Sequence, residues 1–344
     1  LRTPLIRTGE RGKEAWKTAT WDEALTYVAD RMQKIKGAHG PESIAMLYHG
    51  IGVRFIQHVL KSYGCINMAG ASFAQCRGPR DVGFNLTYGQ GLGSPEPTDI
   101  ENTDCLVLIG SHLGENMHNL QVQEFAAAVE RRIPIIVVDP RFSVAASKAK
   151  YWLPIKPGTD LALILAWMHV IVEEGRYDRA FVDRYGHGFD KFAAEIKAST
   201  PEWAAAETGI DAALIRTTAR EMARFRPASL VHPGRRVNWN GDDTQRSRAI
   251  AMLNALLGNW ARKGGLYYSQ GMKVAGFPLP KYPQSAKPAA DNPNGERYPF
   301  ADEAVTTGLR EATLTGRFSQ AFSMPAITFW RSKRSRLPSF FTTM

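Results

Sequence analysis

The stretch from Asp104 to Val172 constrains the fold more than any other part of the chain. "DCLVLIGSH" is an apolar run that stops at Gly110, and "ENMHNLQVQEFAAAVERR" follows as an amphipathic helix. "IPIIVVDPR" is a second apolar run, ended by Asp139-Pro140. "YWLPIKPGTDLALILAWMHVIVEEG" then gives an extended segment, a Pro-Gly turn and a long apolar helix starting near Asp160. Strands that are apolar at every position, rather than at alternate ones, bury both faces. Alternating with helices, they predict an α/β fold: a parallel sheet in Rossmann-like layers with helices on both faces.

The flanking sequence fits around that unit. "TATWDEALTYVADRMQKIKG" reads as a helix capped by Thr20, with Asp22 and Glu23 in its first turn. "ESIAMLYHG" suits a buried strand, and a helix over about Gly52 to Tyr63 leads into the loop that holds Cys76. Further on, "PEWAAAETGI" and "DAALIRTTAREMARF" are helices and "PASLVHPGR" is strand-like. "DDTQRSRAIAMLNALLGNWARKGG" is a helix that starts at an acidic cap and closes with two glycines. The segment from Phe277 to Phe300 is rich in Pro, Asn, Lys and Tyr without a period, and is expected as an extended surface loop. No internal repeat is present.

Charge and cysteine content narrow the function. The formal net charge is +10, but no acidic residue follows Glu311, while Arg317, Arg331, Lys333, Arg334 and Arg336 do. The chain up to Glu311 therefore carries +5, which suits an anionic ligand. The basic residues are scattered and form no stripe interleaved with aromatics, so a nucleic-acid groove is not expected. Three cysteines (Cys65, Cys76 and Cys105) form no CxxC pair, which argues against a disulfide framework or a cysteine-built cluster here. No run of about 18 or more apolar residues occurs. The chain begins at Leu1 with no signal segment ahead of it and reads as a piece of a longer protein. The last stretch, from Gly316, loses acidic residues and periodicity together. It is expected either as a non-native, frameshifted end or as an arginine-rich tail, and no functional residue is assigned to it.

In an open parallel sheet, ligands lie beyond the carboxyl ends of the strands. "GSHLGEN" lets backbone N–H groups approach a phosphate at a helix start, although GxGxxG is lacking. In "DPRFS" the carboxylate suits ribose hydroxyls, and Arg141 and Ser143 suit phosphate oxygens. "KPGTD" adds a cation and a carboxylate able to hold the N1–H and 2-amino edge of guanine. Taken singly, an N-cap at Asp160, a solvated Lys156 and a turn at Asp139-Pro140 explain the same residues; three consecutive strand ends together favour a nucleotide-type ligand. In "FAQCRGPRDVGF", Cys76 is either core filling beside a turn or a thiolate held near Arg77 and Arg80.

The pattern "VVDPRFS…KA…WLPIKPGTD", with "VLIGSHLGENMHNLQVQEF" before it and "HPGRRVNWNGDDTQRSRAIAMLNALLGNWARKGG" after it, resembles the molybdopterin-guanine-dinucleotide oxidoreductases of the dimethyl sulfoxide reductase superfamily. Within these it is most like the catalytic subunits of polysulfide and thiosulfate reductases, from about Leu1 to Arg317. The resemblance implies a molybdenum-bis(molybdopterin guanine dinucleotide) cofactor and two-electron reduction of a sulfur compound. It implies Cys76 as the protein's ligand to molybdenum, with a basic residue at Arg236 holding an anionic substrate. Gly110, Ser111, His112, Glu115 and Asn116 would line one pterin dinucleotide. Asp139, Arg141 and Ser143 would hold its ribose and phosphates, and Lys156, Gly158 and Asp160 its guanine. Gly234 and Arg235 would face the metal, and Gly258, Asn259, Gly264 and Gly265 the second cofactor.

Domains implied are a lead-in at 1–45, a metal-facing domain from 46–100 and 230–311, a dinucleotide-binding domain at 101–229, and the tail at 312–344. Such subunits also carry a 4Fe–4S domain, a C-terminal barrel-like domain and an export signal, none of which is recognised in this sequence. By resemblance, the partners are an iron–sulfur electron-transfer subunit and a membrane quinol-oxidising anchor on the periplasmic side of a bacterial inner membrane. The alternatives are a sister enzyme for tetrathionate, arsenate, nitrate or formate, or a non-catalytic iron–sulfur scaffold subunit of a respiratory complex.

Overall fold

The computed structural model describes residues 2–48, 53–65, 67–70, 78–93, 95–111, 113–115, 119–234 and 243–267. They form two compact units, one within residues 2–70 and one within residues 78–267.

In the first unit, β1 (Leu5–Arg7) and β2 (Trp16–Thr18) form an antiparallel pair, with Leu5 opposite Thr18. Helix α1 (Trp21–His39) starts where the sequence predicts, and for the predicted reason. The Thr20 hydroxyl accepts from the Glu23 N–H at 3.2 Å, and the Glu23 carboxylate accepts from the Thr20 N–H at 2.7 Å. Strand β3 (Ala45–Tyr48) confirms the predicted strand, and helix α2 (Arg54–Tyr63) ends at Gly64, whose φ of 100° is left-handed. Strand β4 (Asn67–Gly70), which the sequence did not announce, pairs with β3 in parallel. Its four residues, Asn-Met-Ala-Gly, carry little strand propensity of their own.

The second unit opens with α3 (Gly78–Tyr88), where the sequence reading had only a turn. Gly-Pro there occupies the first helical turn, a position Pro tolerates because its missing N–H would be unpaired anyway. The core sheet then follows: β5 (Cys105–Ile109), α4 (Asn119–Glu130), β6 (Ile135–Val138) and β7 (Tyr151–Leu153). Five helices intervene: α5 (Asp160–Glu173), α6 (Arg179–Tyr185), α7 (Phe189–Glu195), α8 (Pro201–Thr208) and α9 (Ala212–Arg224). Strand β8 (Ser229–Val231) and helix α10 (Asp243–Leu256) complete the unit. The sheet order is β7-β6-β5-β8 and every pairing is parallel. Each residue of β5, β6 and β8 is buried, so both faces are covered, as predicted.

Two helix limits differ from the prediction. Helix α4 is described over Asn119–Glu130, and Glu115, where the prediction starts it, lies in a turn. Helix α10 ends at Leu256 instead of running to the paired glycines. Gly258 takes a left-handed φ of 68°, and the chain then folds back so that the Ala261 N–H donates to the Leu266 carbonyl. Gly83 sets the distance between α3 and α10. A Cβ on it would lie 2.8 Å from the backbone of Thr244 and Arg248. Phe84 and Tyr88 on the same helix are buried, and Tyr88 stacks on Trp260 at 3.9 Å between ring centres. Among the described strands, β8 stands at the sheet's edge. There the Asn254 side chain accepts from the Val231 N–H at 3.1 Å and donates to the Val231 carbonyl at 3.0 Å, taking the place of a neighbouring strand.

Candidate functional site

Because all four strands are parallel, their carboxyl ends share one edge, and the three predicted loops meet there. After β5, Gly110 has a φ of 56° and donates its N–H to the Val138 carbonyl at 2.9 Å. Among the described residues nothing lies within 4 Å of where its Cβ would be, which leaves room for a ligand, while the conformation disfavours any other residue. Ser111 beside it is buried. After β6, buried Asp139 accepts the Arg141 N–H on Oδ1 at 2.8 Å, which closes the turn. The Ser143 hydroxyl accepts the Ala146 N–H at 3.2 Å. Arg141 and Glu115 form a two-pronged ion pair at 3.0 and 3.1 Å that joins the β5 and β6 loops. Beyond β7, Lys156 and Gly158 are exposed, and Gly158 has a φ of 85°.

Asp160 and a residue that the sequence reading missed form the buried part of this edge. Arg246, in the first turn of α10, donates to Asp160 Oδ2 at 3.1 Å, with side-chain exposures of 7% and 12%. Nε and Nη2 of Arg246 are buried and find no acceptor among the described residues. Burial lowers the Arg246 pKa from its ordinary value, and the carboxylates of Asp160 and Asp243 oppose the shift. Asp160 and Asp243 are the first residues of α5 and α10, so the positive ends of two 14-residue helices meet at the pair. This arrangement suits a ligand with negative charge and hydrogen-bond acceptors. A separation of 86 residues hides the pair from any local motif.

At the end of β8, His232 is buried, and its Nδ1 accepts the Gly234 N–H at 3.0 Å, which leaves Nε2 to carry the proton of the neutral ring. Gly234 thus lies just beyond the carboxyl end of β8. Arg80, which the sequence places four residues from Cys76, is fully buried and paired with Asp81 and Glu96. Its expected effect on a thiolate at Cys76 falls on a residue outside those described. Cys105, inside β5, is inert: burial pushes its thiol up to about 12. Cys65 is buried and donates to the Ile44 carbonyl at 3.0 Å.

Gly258, Asn259, Gly264 and Gly265 are not brought to this edge, and internal packing accounts for each. Asn259 donates to the carbonyl of Ser229, the first residue of β8, at 2.6 Å. Gly264 fits against Asn102, Thr103 and Ala228, which precede β5 and β8, and donates its N–H to Asp99. These contacts lie at the amino ends of the strands. Gly265 has no room for a Cβ against the Asn259 carbonyl, and neither has Gly258 against Asp178 at the cap of α6. Cys76, Arg77, His112, Asn116, Arg235 and Arg236 lie outside the described residues. Among the described residues, no three His, Cys, Asp or Glu side chains converge on a metal site, and no helix is long and apolar enough to cross a membrane.

Comparison with known proteins extends this geometry. The sequence model of the family described as molybdopterin oxidoreductase matches residues 1–315. The chain is 36% identical to the molybdopterin-containing subunit of thiosulfate reductase from Salmonella typhimurium, over 79% of this chain and 35% of that protein. It is 31% identical to a dimethyl sulfoxide reductase of Haemophilus influenzae, over 96% of this chain and 45% of that protein. The structure of acetylene hydratase from Pelobacter acetylenicus superposes with a TM-score of 0.63 at 28% identity, over 76% of this chain and 36% of the other. The chain thus spans between a third and a half of the length of these relatives.

Proposed function

Given that this chain belongs to the molybdopterin oxidoreductase family, we propose that it is the central α/β part of a catalytic subunit that reduces thiosulfate- or polysulfide-type sulfur compounds. The cofactor in this reading is a molybdenum-bis(molybdopterin guanine dinucleotide). One observation carries it: a single parallel-sheet edge gathers Gly110, Asp139, Arg141 and the Asp160–Arg246 pair, the hydrogen-bond donors and acceptors a pterin dinucleotide needs. The residues fit such a group. Gly110 offers open backbone, and two buried N–H-bearing nitrogens of Arg246 await acceptors.

When bound, the molybdenum pterin supplies the two-electron redox chemistry that protein side chains lack. The chain's own residues bind and orient. Gly110 and Ser111 meet the cofactor with backbone and hydroxyl, and Asp139 holds ribose hydroxyls through Oδ2. Arg141 serves phosphate oxygens; in the described structure it is held by Glu115, so phosphate competes with that carboxylate. Asp160, steadied by Arg246, would take the donor edge of guanine with its carboxylate. Cys76 supplies a soft thiolate to the metal, and Arg236 draws the anionic substrate.

The sulfur substrate rests on the thiosulfate reductase relative, whose description as a subunit supports partner subunits of some kind. In this proposal they are an iron–sulfur electron-transfer subunit and a membrane quinol-oxidising anchor on the periplasmic side, a choice that follows the family resemblance alone. A 4Fe–4S cluster belongs to the same reading of the complete subunit. The dimethyl sulfoxide reductase relative, aligned over 96% of this chain, favours a second substrate class, a sulfoxide, at the same site.

Metal and pterin analysis of the anaerobically purified full-length protein tests the core of the proposal. Molybdenum and guanine nucleotide are expected in a ratio of about one to two, and absence of molybdenum sinks the reading. Assays with thiosulfate, polysulfide and dimethyl sulfoxide then choose the substrate class. Cys76→Ala is expected to abolish turnover, and retained activity would remove Cys76 from the site.

A further inference from the structure

Arg80 spends every hydrogen-bonding group it has on positions that converge from three parts of the chain. Its side chain is fully buried. Nε donates to Asp81 Oδ1 at 3.3 Å, and Nη2 donates to the same oxygen at 3.1 Å and to the Gly93 carbonyl at 2.5 Å. Nη1 donates to the Glu96 carboxylate and to the Gly234 carbonyl at 3.2 Å. A guanidinium has five N–H donors in a rigid fork, and here all five are used.

The three parts are the first turn of α3, the loop at 93–96, and the loop after β8. Cys76 lies two residues before α3 begins, and Arg235 follows Gly234 directly. One planar group therefore ties the first turn of α3, which follows Cys76 in sequence, to Gly234, which precedes Arg235-Arg236 in sequence. Burying a cation with two carboxylates is a weak route to stability compared with apolar packing, so the network is better explained by the geometry it imposes.

We propose that Arg80 is a positioning residue, which holds the segment bearing the metal ligand in register with the segment bearing the substrate-binding arginines. The inference rests on the functional reading above, because it needs Cys76 and Arg236 in those roles. Lysine keeps the charge but offers three donors from one atom, so it cannot span the three segments.

The test uses the full-length, molybdenum-loaded protein with Arg80→Lys, and Glu96→Gln as a milder change that leaves Arg80 in place. Metal content, the electron paramagnetic resonance signal of Mo(V), kcat, KM and Tm are measured for each. Arg80→Lys is expected to fold with a lowered Tm, and kcat is expected to fall at least tenfold. Its Mo(V) signal is expected to split into more than one species, or its molybdenum to be lost from folded protein. Glu96→Gln is expected to show the same spectral change with a loss in kcat of about two- to fivefold. A lowered Tm with wild-type spectrum and kcat in both variants overturns the inference, since a purely structural role would produce that result. If Arg80→Lys does not fold, the spectrum of Glu96→Gln decides alone. Unmodified protein without molybdenum overturns the functional reading and this inference together; loaded protein with indifferent variants overturns the inference only.

Discussion

Arg80 and Glu124 show how the environment of a charge decides what the charge does. The charge of a guanidinium shared by Asp81 and Glu96 is largely compensated, whereas its directional bonds act over three segments. Glu124, on α4, is half-buried, and burial raises its pKa, helped by the charges of Glu101 and Asp99. A carboxyl whose pKa is raised in the folded state binds protons more tightly there than in the unfolded chain. Its contribution is therefore favourable below the unfolded value near 4.5 and is lost as pH rises through the folded pKa. Glu124→Gln is accordingly expected to raise Tm at pH 7 and leave it nearly unchanged at pH 3.5. Thermal melts at the two pH values check this, and an equal shift at both would show that packing, not ionisation, is the cause.

At the scale of elements, the packing of α3 against α10 depends on one missing side chain. A Cβ at position 83 would meet the backbone of Thr244 and Arg248 at 2.8 Å, and backbone cannot swing aside as a side chain can. Gly83→Ala should therefore cost about 1–3 kcal/mol, the usual penalty for overpacking, despite the better helix propensity of alanine. Urea unfolding monitored by tryptophan fluorescence measures it, and a stabilised variant would mean the helices are free to move apart. The edge of β8 is a second case. Asn254 satisfies both backbone groups of Val231 from a helix, so an edge strand of three residues presents fewer open groups than its length suggests.

At the scale of the whole molecule, contacts distant in sequence tie the second unit together. Asp160 and Arg246 are 86 residues apart, and Arg80 and Gly234 are 154 apart. Removing one partner of a buried ion pair leaves a desolvated charge behind. Asp160→Asn is thus expected to lower stability by roughly 3–5 kcal/mol. Adding Arg246→Met should restore part of that loss, because the stranded charge goes with it. The double-mutant cycle, measured by urea unfolding, is expected to give a coupling of about 1–3 kcal/mol. Additive losses would show that the two groups do not act as a pair.

Local chemistry settled a good deal before any tertiary contact was known. The capping box at Thr20 fixed the start of α1, and the uninterrupted apolar runs around Val107 and Val137 fixed strands buried on both sides. Once those strands are parallel, Gly110, Asp139 and Lys156 must share the carboxyl edge, so that half of the site could be read from the chain. Contacts between distant residues carried no such signal. The helix at Gly78, the strand at Asn67 and the end of α10 at Leu256 were each settled by partners far along the chain. The roles of Arg80, Arg246 and the glycines after α10 likewise depend on which acceptors and backbone atoms surround them. Periodicity and capping act over a few residues and are written in the sequence. Burial, charge pairing and close backbone approach exist only after the chain has closed on itself.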